Sequence, residues 1–368
     1  MDNRREIVQL CRILAFINQK DIENLGEEME NGEIDWVGLV AVANMNLLTP
    51  ALYSALREKG LLEKIGDPLL PEFLKEIYRS NETRNLGIVD QLLDIQSILN
   101  EEEIVPLVLK GGSALTEKLY PAIGIRTMND IDFMMNPSEF ERGLKCLEMH
   151  GYVEFGRDLK RWHHHTPRMN KKGYPAAIEP HFRVLYNRDI EYIPYDETTS
   201  QPSENPLFRG SQVLKPTWHL YHIFLHSAVI DKNHQRWKLG LRYLYDFAVV
   251  AEKYGDAIDW EMLYRMAERY HHEKILEDFL YLTAKLFNLE TPIHSNPVRG
   301  AIFLKKCLWE STLVPDTRIF KFYQAFTDFH EIYGYEKLKN YYGLRSKVQY
   351  PLALMKYMFY HGRKHLFH

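Results

Sequence analysis

Two stretches decide the fold: residues 104–113, IVPLVLKGGS, and residues 126–133, RTMNDIDF. The first is a short apolar run that ends in glycines, and the second carries aspartates at alternate positions. Because side chains alternate across a strand, Asp130 and Asp132 are expected to project from one face. Two carboxylates at such a short distance repel each other unless a cation neutralises them. Mg²⁺ is a suitable cation, because it binds carboxylate oxygens together with phosphates. The second stretch therefore predicts a divalent-metal site on a strand.

The glycine-rich turn of the first stretch predicts a phosphate-binding site. Gly111 and Gly112 follow the apolar run, where glycines let the backbone approach a ligand and direct N–H groups at phosphate oxygens. A helix expected to begin at Ser113 would add its positive end, and the Ser113 hydroxyl could contact the same phosphates. Lys110 fits a phosphate ligand and a solvated or structural lysine equally well.

Neither pattern is specific alone, because surface carboxylate pairs are usually solvated and Gly-Gly-Ser usually forms a turn. Their order between apolar runs favours a combined metal and nucleotide site over coincidence. Phosphoryl-type transfer needs mainly positioning and charge neutralisation, which the two stretches together would supply.

The same residues carry a resemblance to a known family. An apolar strand, a Gly-Gly/Ser turn and a D-x-D strand resemble the DNA polymerase beta-like nucleotidyltransferase superfamily. More narrowly, the chain resembles the uncharacterised nucleotidyltransferase family. The matching stretches are residues 109–112 (LKGG), 119–121 (LYP), Arg126, 130–132 (DID) and 178–181 (IEPH). The core is also similar to abortive-infection nucleotidyltransferase toxins. The resemblance covers the middle of the chain and implies a nucleotidyltransferase fold that uses a nucleoside triphosphate with Mg²⁺ or Mn²⁺. The insertion at residues 120–127 must loop out, and it matches the narrower family.

The resemblance implies a third acidic residue on a later strand, which matches Glu179. Alternation supports this position, since Glu179, His181 and Arg183 would share one face. Pro180 cannot donate to a ladder, so this strand is expected at an edge or with a bulge. The alternative is a solvated edge-strand glutamate. Asp130, Asp132 and Glu179 are thus the predicted catalytic and metal-binding set, with Glu179 completing the site or acting as general base.

Several basic side chains are candidates for contacting the nucleotide. Arg126 could bind a phosphate bidentately or be a surface-loop arginine. Arg242 could touch phosphate or base, or form an ordinary helix pair with Asp246. His181 is expected near the site. The narrower family implies His226 as well, although the helical spacing of three histidines favours core positions: His219, His222 and His226.

Two further segments have ordinary explanations. The histidines of residues 163–165 lie on a predicted hairpin arm and lack the converging ligands that zinc needs, so hairpin surface is favoured over contact with nucleotide. The basic, aromatic stretch of residues 341–364 could bind single-stranded RNA or a membrane surface. An amphipathic helix that packs on a helical domain is the favoured interpretation.

Composition indicates an ordinary globular protein of two or three domains. The chain has 368 residues, a net charge of -4 and three widely spaced cysteines. The charge does not favour global attraction to nucleic acid, and the cysteines favour a reducing compartment. Neither a signal peptide nor an apolar stretch long enough for a membrane span is evident. A cytoplasmic location is the expectation.

The predicted fold class is α+β, with a nucleotidyltransferase core that has a small mixed sheet. The expected regions are helical residues 1–100, a core at 101–200 and helical residues 211–368, with a linker at 201–210. The nucleotide is expected in the cleft between the core and the C-terminal helices.

The expected activity is transfer of a nucleoside monophosphate to an unknown hydroxyl or phosphate acceptor. The alternatives are a catalytically silent nucleotide-binding protein and a toxin that modifies tRNA or protein. Neither the acceptor nor the oligomeric state follows from the sequence.

Overall fold

The computed structural model of the chain describes residues 3–155, 166–187, 190–313, 349–351 and 353. The α-helices are Arg4–Leu14 (α1), Gln19–Glu30 (α2), Trp36–Met45 (α3), Thr49–Glu58 (α4), Leu69–Asn100 (α5), Lys110–Thr116 (α6), Phe140–Met149 (α7), Pro216–Phe224 (α8), Leu241–Tyr254 (α9), Trp260–Arg269 (α10), Glu273–Phe287 (α11) and Pro297–Glu310 (α12). The strands are Leu107–Val108 (β1), Asp130–Met134 (β2), Val153–Glu154 (β3), Met169–Asn170 (β4), Ala177–His181 (β5), Leu185–Asn187 (β6), Ile190–Ile193 (β7), Ser200–Pro202 (β8) and Gln212–Leu214 (β9). All of these elements except the end of α12 belong to one compact unit, residues 3–308.

The N-terminal part is helical, and residues that favour helix starts begin two of its helices. Asp35 is the N-cap of α3, because its carboxylate accepts the N–H of Gly38 at 3.1 Å. The next helix, α4, begins at Thr49 with Pro50 in its first turn, where a missing N–H costs nothing. Helix α5 follows and runs without a break for 32 residues.

Helix α5 carries polar side chains that fix the inserted loop at residues 120–127. Asn81 donates to the carbonyl of Gly124 at 2.8 Å, and Asn85 donates to the carbonyl of Ile123 at 2.7 Å. A buried carbonyl needs such a partner, since it has lost its bonds to water. The loop is therefore packed against α5.

A seven-stranded mixed sheet forms the core, in the order β3-β4-β5-β2-β1-β9-β8. Two pairs are parallel, β2 with β5 and β1 with β9, and the other pairs are antiparallel. Helices α5 and α7 share an apolar cluster with this sheet, in which Leu92, Phe133 and Leu147 are buried. Strands β6 and β7 form a separate two-stranded sheet.

Two predictions about strands are wrong. The expected linker at residues 201–210 begins inside β8 and is followed at once by β9, which joins β1, so this segment completes the sheet. The strand that carries Glu179 is neither at an edge nor bulged, because β5 lies between β4 and β2 and its pairing with β2 runs without a register shift. Pro180 is accommodated there because it lies beyond Ile178, the residue that pairs with β4. The proposed limits of the three regions stay a prediction.

The rest of the described chain is helical. Helix α8 continues into a π-helical segment, Leu225–Ile230, a feature that often marks functional sites. The N-cap of helix α10 is Asp259, whose carboxylate accepts the N–H of Met262 at 2.8 Å. In the described part of the chain, no helix has both the length and the apolar character that a membrane crossing requires. The architecture confirms the predicted α+β class, a small mixed sheet flanked by helical regions.

Candidate functional site

A cavity of about 730 Å³ lies between the sheet and the helices α8 and α9. This volume is in the usual range for small-molecule sites, roughly 300–1,000 Å³. Most of the predicted site residues line it: Lys110, Gly111, Arg126, Asp130, Asp132, Glu179 and Arg242. Gly112, Ser113 and His181 are not in its wall, although His181 contacts a residue that is.

The parallel pairing of β2 with β5 brings the predicted acids together. Asp132 is the direct partner of Glu179, and Asp130 lies two residues earlier, so the three side chains project from one face. Asp132 and Glu179 are buried, and Asp130 is half-buried. The sheet therefore holds three carboxylates at the wall of the cavity.

Two cations neutralise these acids, each on a different part of the group. The Lys110 ammonium donates to Asp132 Oδ1 at 2.6 Å, and His181 Nε2 lies 3.0 Å from the same oxygen. The Arg168 guanidinium bonds Glu179 Oε1 through Nε at 2.5 Å and Asp130 Oδ2 through Nη2 at 2.9 Å.

Arg168 is a functional candidate that the sequence interpretation missed. It directly precedes β4, whose Met169 pairs with Ile178 in antiparallel register. The next residue pair outward is Arg168 with Glu179, and opposite charges at such cross-strand positions attract. The register of the predicted hairpin is the signal that could have found it.

The charges in this group are unevenly balanced. Burial, together with the charges of Asp132 and Glu179, raises the pKa of Asp130. Burial would also raise the pKa of Asp132, but Lys110 and His181 hold it well below its usual value. Asp132 is therefore firmly ionised, while Asp130 has an excess of negative neighbours.

The acids and His181 have the chemistry to hold a divalent ion. Ligand atoms of Asp132, Glu179 and His181 all lie within 4.8 Å of one another. This group differs from the predicted metal-binding set, because it contains His181 in place of Asp130. Carboxylates suit Mg²⁺ and Mn²⁺, whereas an imidazole is a more usual ligand of Zn²⁺ and other transition metals. The raised pKa of Asp130 is a second sign of fit, since a nearby cation would relieve its repulsion.

The glycine-rich turn is already helical. Helix α6 begins at Lys110, and the N–H of Ser113 donates to the carbonyl of Leu109 at 3.2 Å, so the predicted start at Ser113 is wrong. Lys110 has φ of 48°, a left-handed conformation that costs about 1–2 kcal/mol for a residue other than glycine. Such strain is typical of functional sites, and here it accompanies the bond between the Lys110 ammonium and Asp132.

The glycines of this turn are required by close packing. A Cβ at Gly111 would collide with Arg126 and Met128, and a Cβ at Gly112 would lie 2.7 Å from Val108 Cγ1. The Ser113 hydroxyl is buried and donates to the carbonyl of Lys110 at 2.8 Å. Gly111 is the part of the turn that reaches the cavity.

The Arg126 side chain is only 11% exposed and is paired, which neither alternative for it anticipated. Its guanidinium bonds the Asp246 carboxylate through Nη2 at 2.8 Å and through Nε at 3.2 Å. The Tyr120 hydroxyl donates to the same carboxylate. The suggested helix pair between Arg242 and Asp246 is thus replaced by a pair that ties the inserted loop to α9.

The helical wall of the cavity carries the three histidines expected in the core. His219 and His222 are buried and His226 is half-buried, and all three also line the cavity. Burial lowers the pKa of His219 to about 4 and lowers that of His222 well below its usual value. Both imidazoles are therefore neutral near pH 7.

Arg242 on the same wall is half-buried, and its guanidinium lies 5.2 Å from the ring centre of Tyr243. Within the parts of the chain that the structure describes, no carboxylate lies at ion-pair distance from Arg242. This cation of the cavity wall therefore retains its capacity to bind an anion.

Two predictions concern residues outside the described ranges. The histidines of residues 163–165 are among them, as is most of the basic, aromatic stretch of residues 341–364. Both interpretations stay predictions.

The strand register, the glycine-rich turn and the cavity together are the arrangement of an α+β nucleotidyltransferase core. The chain belongs to the uncharacterised nucleotidyltransferase family, whose model matches residues 32–288. The match includes α5, the sheet and most of the C-terminal helices, so it extends well beyond the stretch in which the motifs lie. No curated protein and no solved structure matched the chain.

Proposed function

We propose that the chain transfers a nucleoside monophosphate from a nucleoside triphosphate to an acceptor hydroxyl or phosphate. The acceptor oxygen bonds to the α-phosphorus, and the bond to the bridging oxygen breaks, so that pyrophosphate leaves. The observation that carries the proposal is the placement of Asp130, Asp132 and Glu179 on one face at the wall of the cavity. Membership in the nucleotidyltransferase family supports it.

Asp130, Asp132 and Glu179 would hold Mg²⁺ or Mn²⁺. When bound, the ion neutralises charge on the phosphates of the nucleotide and on the leaving pyrophosphate. The chain's own residues keep the carboxylates charged and in position. His181 and Lys110 do so for Asp132, which they keep ionised and oriented. Glu179 completes the site or takes the proton of the acceptor.

The phosphates would lie between the glycine turn and the helical wall. Lys110 and Gly111 face the cavity from the turn, with Gly112 and Ser113 supporting them from behind. Arg242 faces it from α9 and has the capacity to bind a phosphate. Arg126 also lines the cavity, but its charge is balanced by Asp246. A triphosphate in this space would meet cations from both walls.

The proposal is tested by incubating the protein with each α-labelled nucleoside triphosphate, Mg²⁺ and cell extract. The wild type is expected to release pyrophosphate and to label one class of acceptor: a small molecule, a protein or tRNA. The Asp132→Asn variant should remain folded, as judged by circular dichroism, and lose both signals. The exposed Asp256→Asn is the matched control. Turnover in Asp132→Asn equal to that of the control would refute the assignment.

A further inference from the structure

Arg168 lies in the position that links two of the three acids. Half of its side-chain surface is exposed, and it lines the cavity. Its guanidinium reaches Glu179 with Nε and Asp130 with Nη2, at 2.5 and 2.9 Å. Within the described residues it is the cation that forms ion pairs with these two carboxylates.

An arginine in this position competes with a metal ion for the same oxygens. A guanidinium stays charged at every accessible pH, so Arg168 cannot give way by losing a proton. Two cations that share carboxylate oxygens repel each other at short range. A divalent ion held by Asp130 and Glu179 therefore requires the Arg168 side chain to move.

The net charge of the carboxylate group and its cations indicates where the Arg168 side chain moves. Three carboxylates against Lys110 and Arg168 leave one negative charge uncompensated, and a divalent ion turns this into an excess of positive charge. A triphosphate in the cavity would offset that excess. The half-exposed side chain can rotate without disrupting a packed core, and Arg168 already faces the cavity.

We propose that Arg168 couples metal binding to nucleotide binding. It holds Asp130 and Glu179 together in the metal-free protein, releases them to the divalent ion, and then binds the triphosphate. When the metal ion binds without nucleotide, it displaces the Arg168 guanidinium, which then has no new anionic partner. The metal ion therefore binds weakly on its own. Metal and nucleotide together provide a new partner for the guanidinium, so each strengthens the binding of the other. This inference rests on the proposed function and describes how the same site is regulated.

The test measures Mn²⁺ binding by electron paramagnetic resonance, with and without α,β-methylene analogues of ATP, CTP, GTP and UTP in turn. In the wild type, the matching analogue is expected to tighten Mn²⁺ binding by about tenfold or more. Arg168→Met should bind Mn²⁺ about tenfold more tightly without nucleotide, and the effect of the analogue should shrink. Arg168→Lys keeps the charge but cannot bond both carboxylates with one planar group. Its affinity for Mn²⁺ should therefore lie between those of the wild type and Arg168→Met.

Arg142→Met is the matched control, because Arg142 is also half exposed and paired with acids, here Glu102 and Glu139. It should bind Mn²⁺ as the wild type does. Equal Mn²⁺ affinity of wild type and Arg168→Met in the absence of nucleotide would overturn the role of Arg168 and leave the proposed function standing. If neither protein binds Mn²⁺ under any condition, the proposed function fails as well.

Thermal unfolding without metal gives a second readout. Arg168→Met leaves Asp130 and Glu179 without their ion-pair partner, so its melting temperature should fall below that of the wild type and recover when Mn²⁺ is added. A melting temperature that falls but does not recover with Mn²⁺ would assign Arg168 a purely structural role and would contradict the coupling.

Discussion

Asp132 on β2 and Glu179 on β5 are direct partners in a parallel strand pair, and each is bonded to a different cation. Lys110 is fixed on Asp132 by the first turn of α6, whereas Arg168 reaches Glu179 from the more exposed side of the sheet. Asp132 is therefore kept ionised by a mostly buried lysine. Glu179 is paired with a half-exposed arginine, the side chain that is proposed to move when the metal ion binds.

Glu179→Gln keeps the shape of the side chain but removes its charge. We expect pyrophosphate release to fall by about a hundredfold or more, since either a metal ligand or a general base is lost. The measurement is the initial rate with saturating nucleotide. Glu154→Gln, an exposed position on β3, is the control. A rate within twofold of that control would remove Glu179 from the site.

The pair of Arg126 and Asp246 predicts a large effect on stability. Asp246→Ala leaves a buried guanidinium and the Tyr120 hydroxyl without their shared partner, which should cost about 3–5 kcal/mol of the free energy of unfolding. Arg79→Ala breaks an exposed pair with Glu76 and should cost about 0–1 kcal/mol. Urea unfolding compares them. Equal losses would mean that the buried pair does not hold the loop to α9.

The buried His219 predicts a pH dependence of stability. Its pKa is lowered from 6.5 to about 4 in the folded protein, so the unfolded chain takes up a proton first as the pH falls. Stability is therefore lost between these two pKa values as the pH decreases. Between about pH 7.5 and about pH 5, His219 should account for a loss of about 2 kcal/mol.

The measurement is urea unfolding of the wild type and His219→Gln at both pH values. The variant should lose less stability on acidification, while the exposed His294→Gln serves as the matched control. The same acid-induced loss in wild type and His219→Gln would show that this imidazole accepts a proton in the folded state.

The close packing of Gly112 against Val108 predicts that a second substitution can restore stability lost by the first. An added Cβ would lie 2.7 Å from Val108 Cγ1, so Gly112→Ala should lower the free energy of unfolding by about 1–3 kcal/mol. Val108→Ala removes the clashing atom, so the double variant should be more stable than the sum of the two single effects predicts. Gly66→Ala adds a methyl group in open space and is the control. Strict additivity of the two changes would place the clash elsewhere.

The parts of this site that follow from local pattern could be predicted. Alternation put Asp130 and Asp132 on one face of their strand. Glu179 came from the family resemblance, and the pairing of its strand with β2 then placed it beside Asp132. The shared face of the two aspartates needs only the residues of one strand, and for that reason it could be predicted without knowledge of the strand order.

The partners of the charged residues could not be predicted in the same way. Arg126 pairs with Asp246 across a large separation in sequence, and the helical spacing of Arg242 and Asp246 offered a nearer partner that is not used. The start of α6 was misplaced because the glycines are required by packing against Arg126 and Val108, not by the turn alone. The position of β5 inside the sheet depends on strand order, which Pro180 cannot reveal.

The role of the three carboxylates in holding the nucleotide is measured by calorimetry of the matching α,β-methylene nucleoside triphosphate with and without Mg²⁺. The wild type is expected to bind the nucleotide with Mg²⁺ and to lose most of that affinity when EDTA removes the metal. Asp132→Asn is expected to show the weak, metal-independent affinity under both conditions. Nucleotide binding that is equally tight in EDTA and in Asp132→Asn would contradict this role, because the carboxylates would then play no part in holding the nucleotide.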